Sequence, residues 1–252
     1  LHRVDRRQRQ MCIRDRFMAK RKEEKRKALN TPLYVEDKPK SIVSEKLRGI
    51  RSNIMFSNAE EIKSVLITSE KPAAGKSIVS ANIAITYAQA GYKTLIIDGD
   101  MRKPTQHYHF QESNYDGLSN LIIGNSDYDK SIRSTRVKNL DLLTSGPIPP
   151  NPSELIASER FKKIFEHLQK EYDFILIDTP PIISVTDAQV FLQYVPNCVL
   201  IIDAQKNNRN EVKKAKQLVE QADGHVIGAI LNKTAQEKSS NYYYYYGEDS
   251  KS

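Results

Sequence analysis

Six short apolar runs recur along this chain, at 64–68 (SVLIT), 94–97 (TLII), 140–143, 174–177 (FILI), 198–202 (CVLII) and 226–231. Four or five apolar residues in a row match a strand buried on both faces, and the stretches between them read as helices over about 75–90, 152–170 and 211–222. The second of these carries start signals, with Asn151 at the N-cap, Pro152 at the first helical position and Glu154 at the third. The alternation selects an α/β fold: a doubly wound, mostly parallel sheet with helices on both faces. Ligands bind such sheets outside the carboxyl ends of the strands, so the chemistry is expected just after each apolar run.

The residues found there agree. The first run leads into Ser69-Glu-Lys-Pro-Ala-Ala-Gly-Lys-Ser77, whose Gly75-Lys76-Ser77 is the end of a P-loop. In such a loop the backbone N–H groups of Ala73, Ala74, Gly75, Lys76, Ser77 and Ile78 face nucleotide phosphates. Lys76 adds a point charge and Ser77 can ligate Mg2+. The first glycine of the general pattern is replaced by Glu70, and Ala73 stands where φ > 0 would cost an alanine about 1 kcal/mol. The second run ends in Asp98-Gly-Asp100-Met-Arg-Lys-Pro104, and the fourth in Asp178-Thr-Pro-Pro181. Asp98 and Asp178 are candidates to hold magnesium through water, beside Ser77. Lys76, Asp98, Asp100 and Asp178 form the candidate catalytic set. Asn232, at the end of the last run, is a candidate for the base edge of ATP.

Charge excludes other classes. The formal net charge is +8, but residues 1–27 hold 12 basic and 4 acidic side chains, and the remainder is balanced at 27 of each. A neutral body offers no distributed groove for nucleic acid, so no direct nucleic-acid contact is expected. Two cysteines make no disulfide framework, which fits a reduced, cytoplasmic setting. Residues 1–17 lack any periodicity and resemble translated sequencing-adapter sequence, so a native start is expected at Met18. Three segments follow: a basic arm over 1–29, a P-loop domain over 30–235 and a flexible, tyrosine-rich tail over 236–252. The arm reads either as a solvated tail or as a segment drawn to anionic lipid.

The tail separates the functions that P-loop proteins perform. Tyr242, Tyr243, Tyr244, Tyr245 and Tyr246 are consecutive, and no helix or strand buries five adjacent rings on one face. They read as a phosphoacceptor cluster. With the loop 71–77 (KPAAGKS), LIIDGDMRKP (95–104) and FILIDTPP (174–181), the chain resembles the bacterial tyrosine kinases of capsular and exopolysaccharide synthesis, of the CapB type. The resemblance implies an enzyme dependent on ATP and magnesium that phosphorylates its own tyrosine tail between subunits and regulates capsule synthesis. It also implies activation by the cytoplasmic tail of a membrane adaptor, which would hold the protein peripherally at the inner face of the cell membrane.

A further match is Glu45-Lys-Leu-Arg48-Gly-Ile-Arg51, the family's ExxRxxR pattern. On a helix Glu45, Arg48 and Arg51 share one stripe, opposite Leu47, Ile50 and Ile54. The resemblance implies that this outward stripe pairs with a neighbouring subunit to close a ring. Two alternatives remain open. Partition ATPases of the Min or Par type share the fold and carry a lysine at the position of Lys71. A non-catalytic assembly module with an impaired P-loop would also carry these motifs.

Overall fold

All six apolar runs become strands of one sheet. The computed structural model describes residues 33–58 and 61–234, so the basic arm and the tyrosine cluster lie outside the described residues. In chain order the elements are α1 (Tyr34–Asp37), α2 (Ile42–Met55), β1 (Ser64–Ser69), α3 (Lys76–Gln89) and β2 (Thr94–Asp98). They continue with α4 (Gln106–His109), α5 (Leu118–Ile123), α6 (Tyr128–Ser131), β3 (Ile132–Ser134), β4 (Leu140–Leu143), α7 (Pro152–Ile156) and α8 (Glu159–Glu171). The last are β5 (Phe174–Asp178), α9 (Asp187–Leu192), β6 (Asn197–Asp203), α10 (Arg209–Gln221) and β7 (His225–Asn232).

The strand order is β3-β4-β2-β5-β1-β6-β7. Every pairing is parallel except β3 with β4. Because side chains alternate across a strand, the central strands feed two separate cores. Leu66, Leu95, Ile97, Ile175 and Ile177 face α8 and α9, against Phe161, Phe165 and Phe191. Val65, Ile67, Ile96, Leu176 and Ile201 face the other way, toward the apolar side of α3 and toward Leu47 and Ile54 of α2. There the rings of Tyr87 and Phe174 stack with centroids 3.6 Å apart. Burial on both faces explains why these strands read as continuous apolar runs rather than as an alternation.

Three local features depart from the sequence reading. The helix expected over 152–170 is two helices, α7 and α8. Ser158, extended at ψ 147°, breaks the run because its hydroxyl accepts from Phe161 N and so starts a new helix. Asn151 occupies the N-cap position of α7, but its amide donates to the Glu154 carboxylate instead of capping the backbone. Finally, β3 is a three-residue antiparallel edge, too short to carry a visible alternation.

Candidate active site

Register places two carboxylates side by side. Asp98 and Asp178 are paired positions at the ends of the neighbouring strands β2 and β5, and both side chains are fully buried. Such a pair persists only if donors surround it. Asp98 Oδ2 accepts from the backbone N–H of Thr105 at 3.0 Å and of Gln106 at 2.9 Å, and Oδ1 from Asp100 N at 3.3 Å. Asp178 Oδ2 accepts from Gln106 Nε2 at 2.8 Å, and Oδ1 from Ser80 Oγ at 3.4 Å. Burial is the main cause that holds the Asp98 carboxyl well above the usual range, and the Asp178 and Asp100 charges add to it. Burial also raises Asp100, against the opposing pull of the Lys76 ammonium. Gly99 lets the chain pass this close: a Cβ there would lie 2.9 Å from Asp178 O.

The loop after β2 is held from both ends. Asp100 Oδ1 accepts from Lys103 N at 2.9 Å and from Arg102 N at 3.3 Å. Arg102 then donates from Nε and Nη2 to the two oxygens of fully buried Asp187, at 2.8 and 2.9 Å. The Ser153 hydroxyl donates to the same carboxylate. Bidentate pairing fixes direction as well as distance, so Arg102 and Asp187 aim the Asp98–Pro104 segment at the site. Nothing in the sequence signals the role of Asp187, because its partner lies 85 residues away. Gln106 was equally invisible. Its Nε2 also donates to Ser77 O at 3.0 Å, so one side chain joins β5, the loop after β2 and the start of α3. Its Oε1 is buried with no hydrogen-bond partner.

The P-loop runs from β1 to α3, with Lys76 buried at the start of the helix and Ser77 beside it. Gly75 stands at φ 94°, and a Cβ there would meet Asn232 Nδ2 at 2.2 Å. Ala73 lies at φ 61°, the left-handed region in which an alanine carries a strain of about 1 kcal/mol. Asn232, at the end of β7, donates from Nδ2 to Ala74 O at 2.9 Å.

Among the described residues no group of three or more His, Cys, Asp or Glu side chains is arranged to ligate a metal ion directly. Ser77, Asp98 and Asp178 are the residues that would hold a magnesium ion at this site, and the buried Gln106 Oε1 beside them has no hydrogen-bond partner.

The helix carrying the ExxRxxR pattern forms as expected, capped by Ser41, with Leu47 and Ile54 buried. Its charged stripe does not point outward as a unit. Glu45 and Arg48 form an ion pair within the helix, and Arg48 also donates to Pro39 O at 2.9 Å. Arg51 turns inward and donates to Thr86 O at 2.7 Å, near the end of α3. That carbonyl lies in the last turn of a helix, which favours a cation. No helix among the described residues is long and apolar enough to cross a membrane.

Comparison with known proteins bears on this arrangement. A family model described as an AAA domain matches residues 62–221. The chain is 70% identical over 226 residues to a candidate tyrosine-protein kinase, CapB, of Staphylococcus aureus, covering 89% of this chain and 99% of the relative. It is 42% identical to the tyrosine-protein kinase YwqD of Bacillus subtilis, over 77% of this chain and 82% of the relative. The solved chimerical protein CapA2B2 superposes with a TM-score of 0.77 at 54% identity, covering 79% of this chain and 88% of that one. Solved MinD from Pyrococcus horikoshii, at a TM-score of 0.59 and 22% identity over 70% of this chain and 72% of that one, shares the fold alone.

The buried Asp98 carboxyl predicts a pH dependence of stability. A carboxyl whose folded pKa is raised contributes stability below its ordinary value, near pH 4, and loses that contribution as pH rises through the raised value. The Asp98 contribution is therefore lost as pH rises, and the melting temperature of Asp98→Asn relative to the wild type is expected to rise with it. Thermal unfolding of both proteins in matched buffers checks this, and a difference that stays constant with pH contradicts it.

Proposed function

The chain belongs to the bacterial tyrosine-protein kinases, and from that premise we propose that it transfers the γ-phosphoryl group of ATP to the tyrosines of its own tail, between subunits. The observation that carries this reading is the register-paired Asp98 and Asp178 beside a P-loop, in a chain that also holds five consecutive tyrosines. Lys76 and the amides of residues 73–78 would hold the β- and γ-phosphates. Magnesium, when bound, would neutralise charge on the phosphate oxygens. Asp100 is the base in this reading. It is less enclosed than Asp98 and spends only one oxygen on the neighbouring N–H groups. A phenol of pKa about 10 needs such help at neutral pH. Its oxygen attacks the γ-phosphorus as the bond to the β-γ bridging oxygen breaks. The phenolic proton passes to the carboxylate and ADP leaves. The protein supplies mostly position and charge.

The finer parts of the function rest on the family. A role in capsular polysaccharide synthesis and activation by a membrane adaptor follow from the resemblance, and the chimerical relative CapA2B2 supports a second component. A ring of subunits, with Glu45 and Arg48 exchanging their intrahelical pair for partners across the interface, would present each tail to a neighbouring site. Arg51, already bonded to Thr86 O, would brace the helix in that assembly.

Two measurements test the reading. The protein is incubated with labelled ATP and magnesium, together with the adaptor's cytoplasmic segment, and phosphate is mapped. Label is expected on the tail and is expected to vanish when Tyr242–Tyr246 are changed to Phe. Hydrolysis without labelling would support a partition-type ATPase instead. Each phosphotyrosine adds roughly −1.5 to −2 charges, so crowded tails in a ring should repel. Light scattering is expected to show a smaller particle after full phosphorylation, and an unchanged mass would remove the ring-release idea.

A further inference from the structure

Two consecutive residues leaving β7 hold two consecutive carbonyls of the P-loop. Lys233 Nζ donates to Ala73 O at 2.6 Å, and Asn232 Nδ2 donates to Ala74 O at 2.9 Å. Ala73 is the residue held at φ 61° without being glycine. A glycine would occupy that conformation at no steric cost, whereas an alanine there must be kept in place by its surroundings.

Lys233 is itself anchored. Its Nζ lies 2.9 Å from Oδ2 of Asp203, a carboxylate almost wholly buried at the end of β6. Asp203 Oδ1 accepts from the N–H groups of Gln205 at 3.1 Å and Lys206 at 3.2 Å. Asn232 O accepts from Ala204 N at 2.8 Å, which ties the ends of β6 and β7 together. On the other side of the loop, Lys71 Nζ donates to the carbonyl of Lys206. The P-loop is thus gripped at residues 71, 73 and 74 by one rigid corner built from β6 and β7.

The geometry points to Lys233 as a positioning residue for nucleotide binding. Resting on the reading that the loop binds ATP, we assign it the task of holding the Ala73 peptide in its left-handed conformation, so that the loop amides meet the phosphates already ordered. Asp203 holds Lys233, and the pair compensates for the missing glycine at position 73. The role belongs to this corner of the sheet and not to charge alone, because the ammonium is committed to Ala73 O and Asp203.

A mutant cycle tests this, read by calorimetric titration of the full chain with magnesium–ADP. Lys233→Met and Asp203→Asn are each expected to weaken binding by about fivefold to tenfold, the scale of a left-handed alanine's strain. Ala73→Gly is expected to bind at least as tightly as the wild type. In the Ala73→Gly background the same two substitutions are expected to cost less than about twofold, because glycine no longer needs the clasp. Asp203→Asn keeps the lysine charge, so it separates positioning from long-range attraction, and it carries the test if Lys233→Met fails to fold by circular dichroism. Equal losses in both backgrounds, or no loss in the alanine background, overturn the assignment. A wild-type chain that folds and gives no titration even with the adaptor's cytoplasmic segment present overturns the nucleotide reading itself, and this inference with it.

Discussion

Two carboxylates buried side by side, Asp98 and Asp178, are the constraint around which the site is organised. Burial, with the charges of Asp178 and Asp100 beside it, holds the Asp98 carboxyl above its usual range, so the surrounding chain has to supply donors at close range. It does so with backbone N–H groups from Thr105 and Gln106, which force the segment after β2 to fold back over its own strand end. That fold-back needs glycine at position 99, where a side chain would strike the Asp178 carbonyl. It also needs an anchor at the far side, which Arg102 finds in Asp187. Gln106 then links the pair to the P-loop helix through Ser77 O. Removing either aspartate would leave donors facing nothing, so the constellation stands or falls as a unit.

The phosphate loop shows the complementary strategy. Its neighbours supply acceptor and donor contacts that hold an unfavourable backbone conformation at Ala73, and the contacts come from strands that carry no catalytic group of their own. Strain at a functional site persists when the rest of the structure over-determines it. Here the over-determination is visible in the tie between Ala204 and Asn232 and in the buried Asp203.

Much of this was legible from the residues alone. Burial on both faces makes each central strand a continuous apolar run, and a fold that binds ligands at strand ends makes the aspartates after those runs conspicuous. What stayed hidden is what depends on contacts between distant parts of the chain. Gln106 is an ordinary amide in a short helix until the fold sets it against Asp178, and Asp187 gains meaning only from Arg102. Arg51 obeys the helical spacing that put it on the outward stripe, yet its long side chain reaches back to a carbonyl of the neighbouring helix. Asn232 sits at the expected strand end, and its contact with the Ala74 carbonyl was not visible in the sequence. Periodicity fixes which face a residue occupies, whereas a flexible polar side chain chooses among the partners that the tertiary structure brings within reach.

The most direct test of a strand-end site that phosphorylates the tail of another copy mixes two variants that are each defective alone. One carries Lys76→Met with its tyrosines intact, and the other carries an intact site with Tyr242–Tyr246 replaced by Phe. With magnesium–ATP and the adaptor segment present, phosphate should appear on the tail of the Lys76→Met chain in the mixture, and on neither chain when each is incubated alone. A mixture that leaves the Lys76→Met tail unlabelled, while the wild-type protein labels its own, would contradict transfer between subunits.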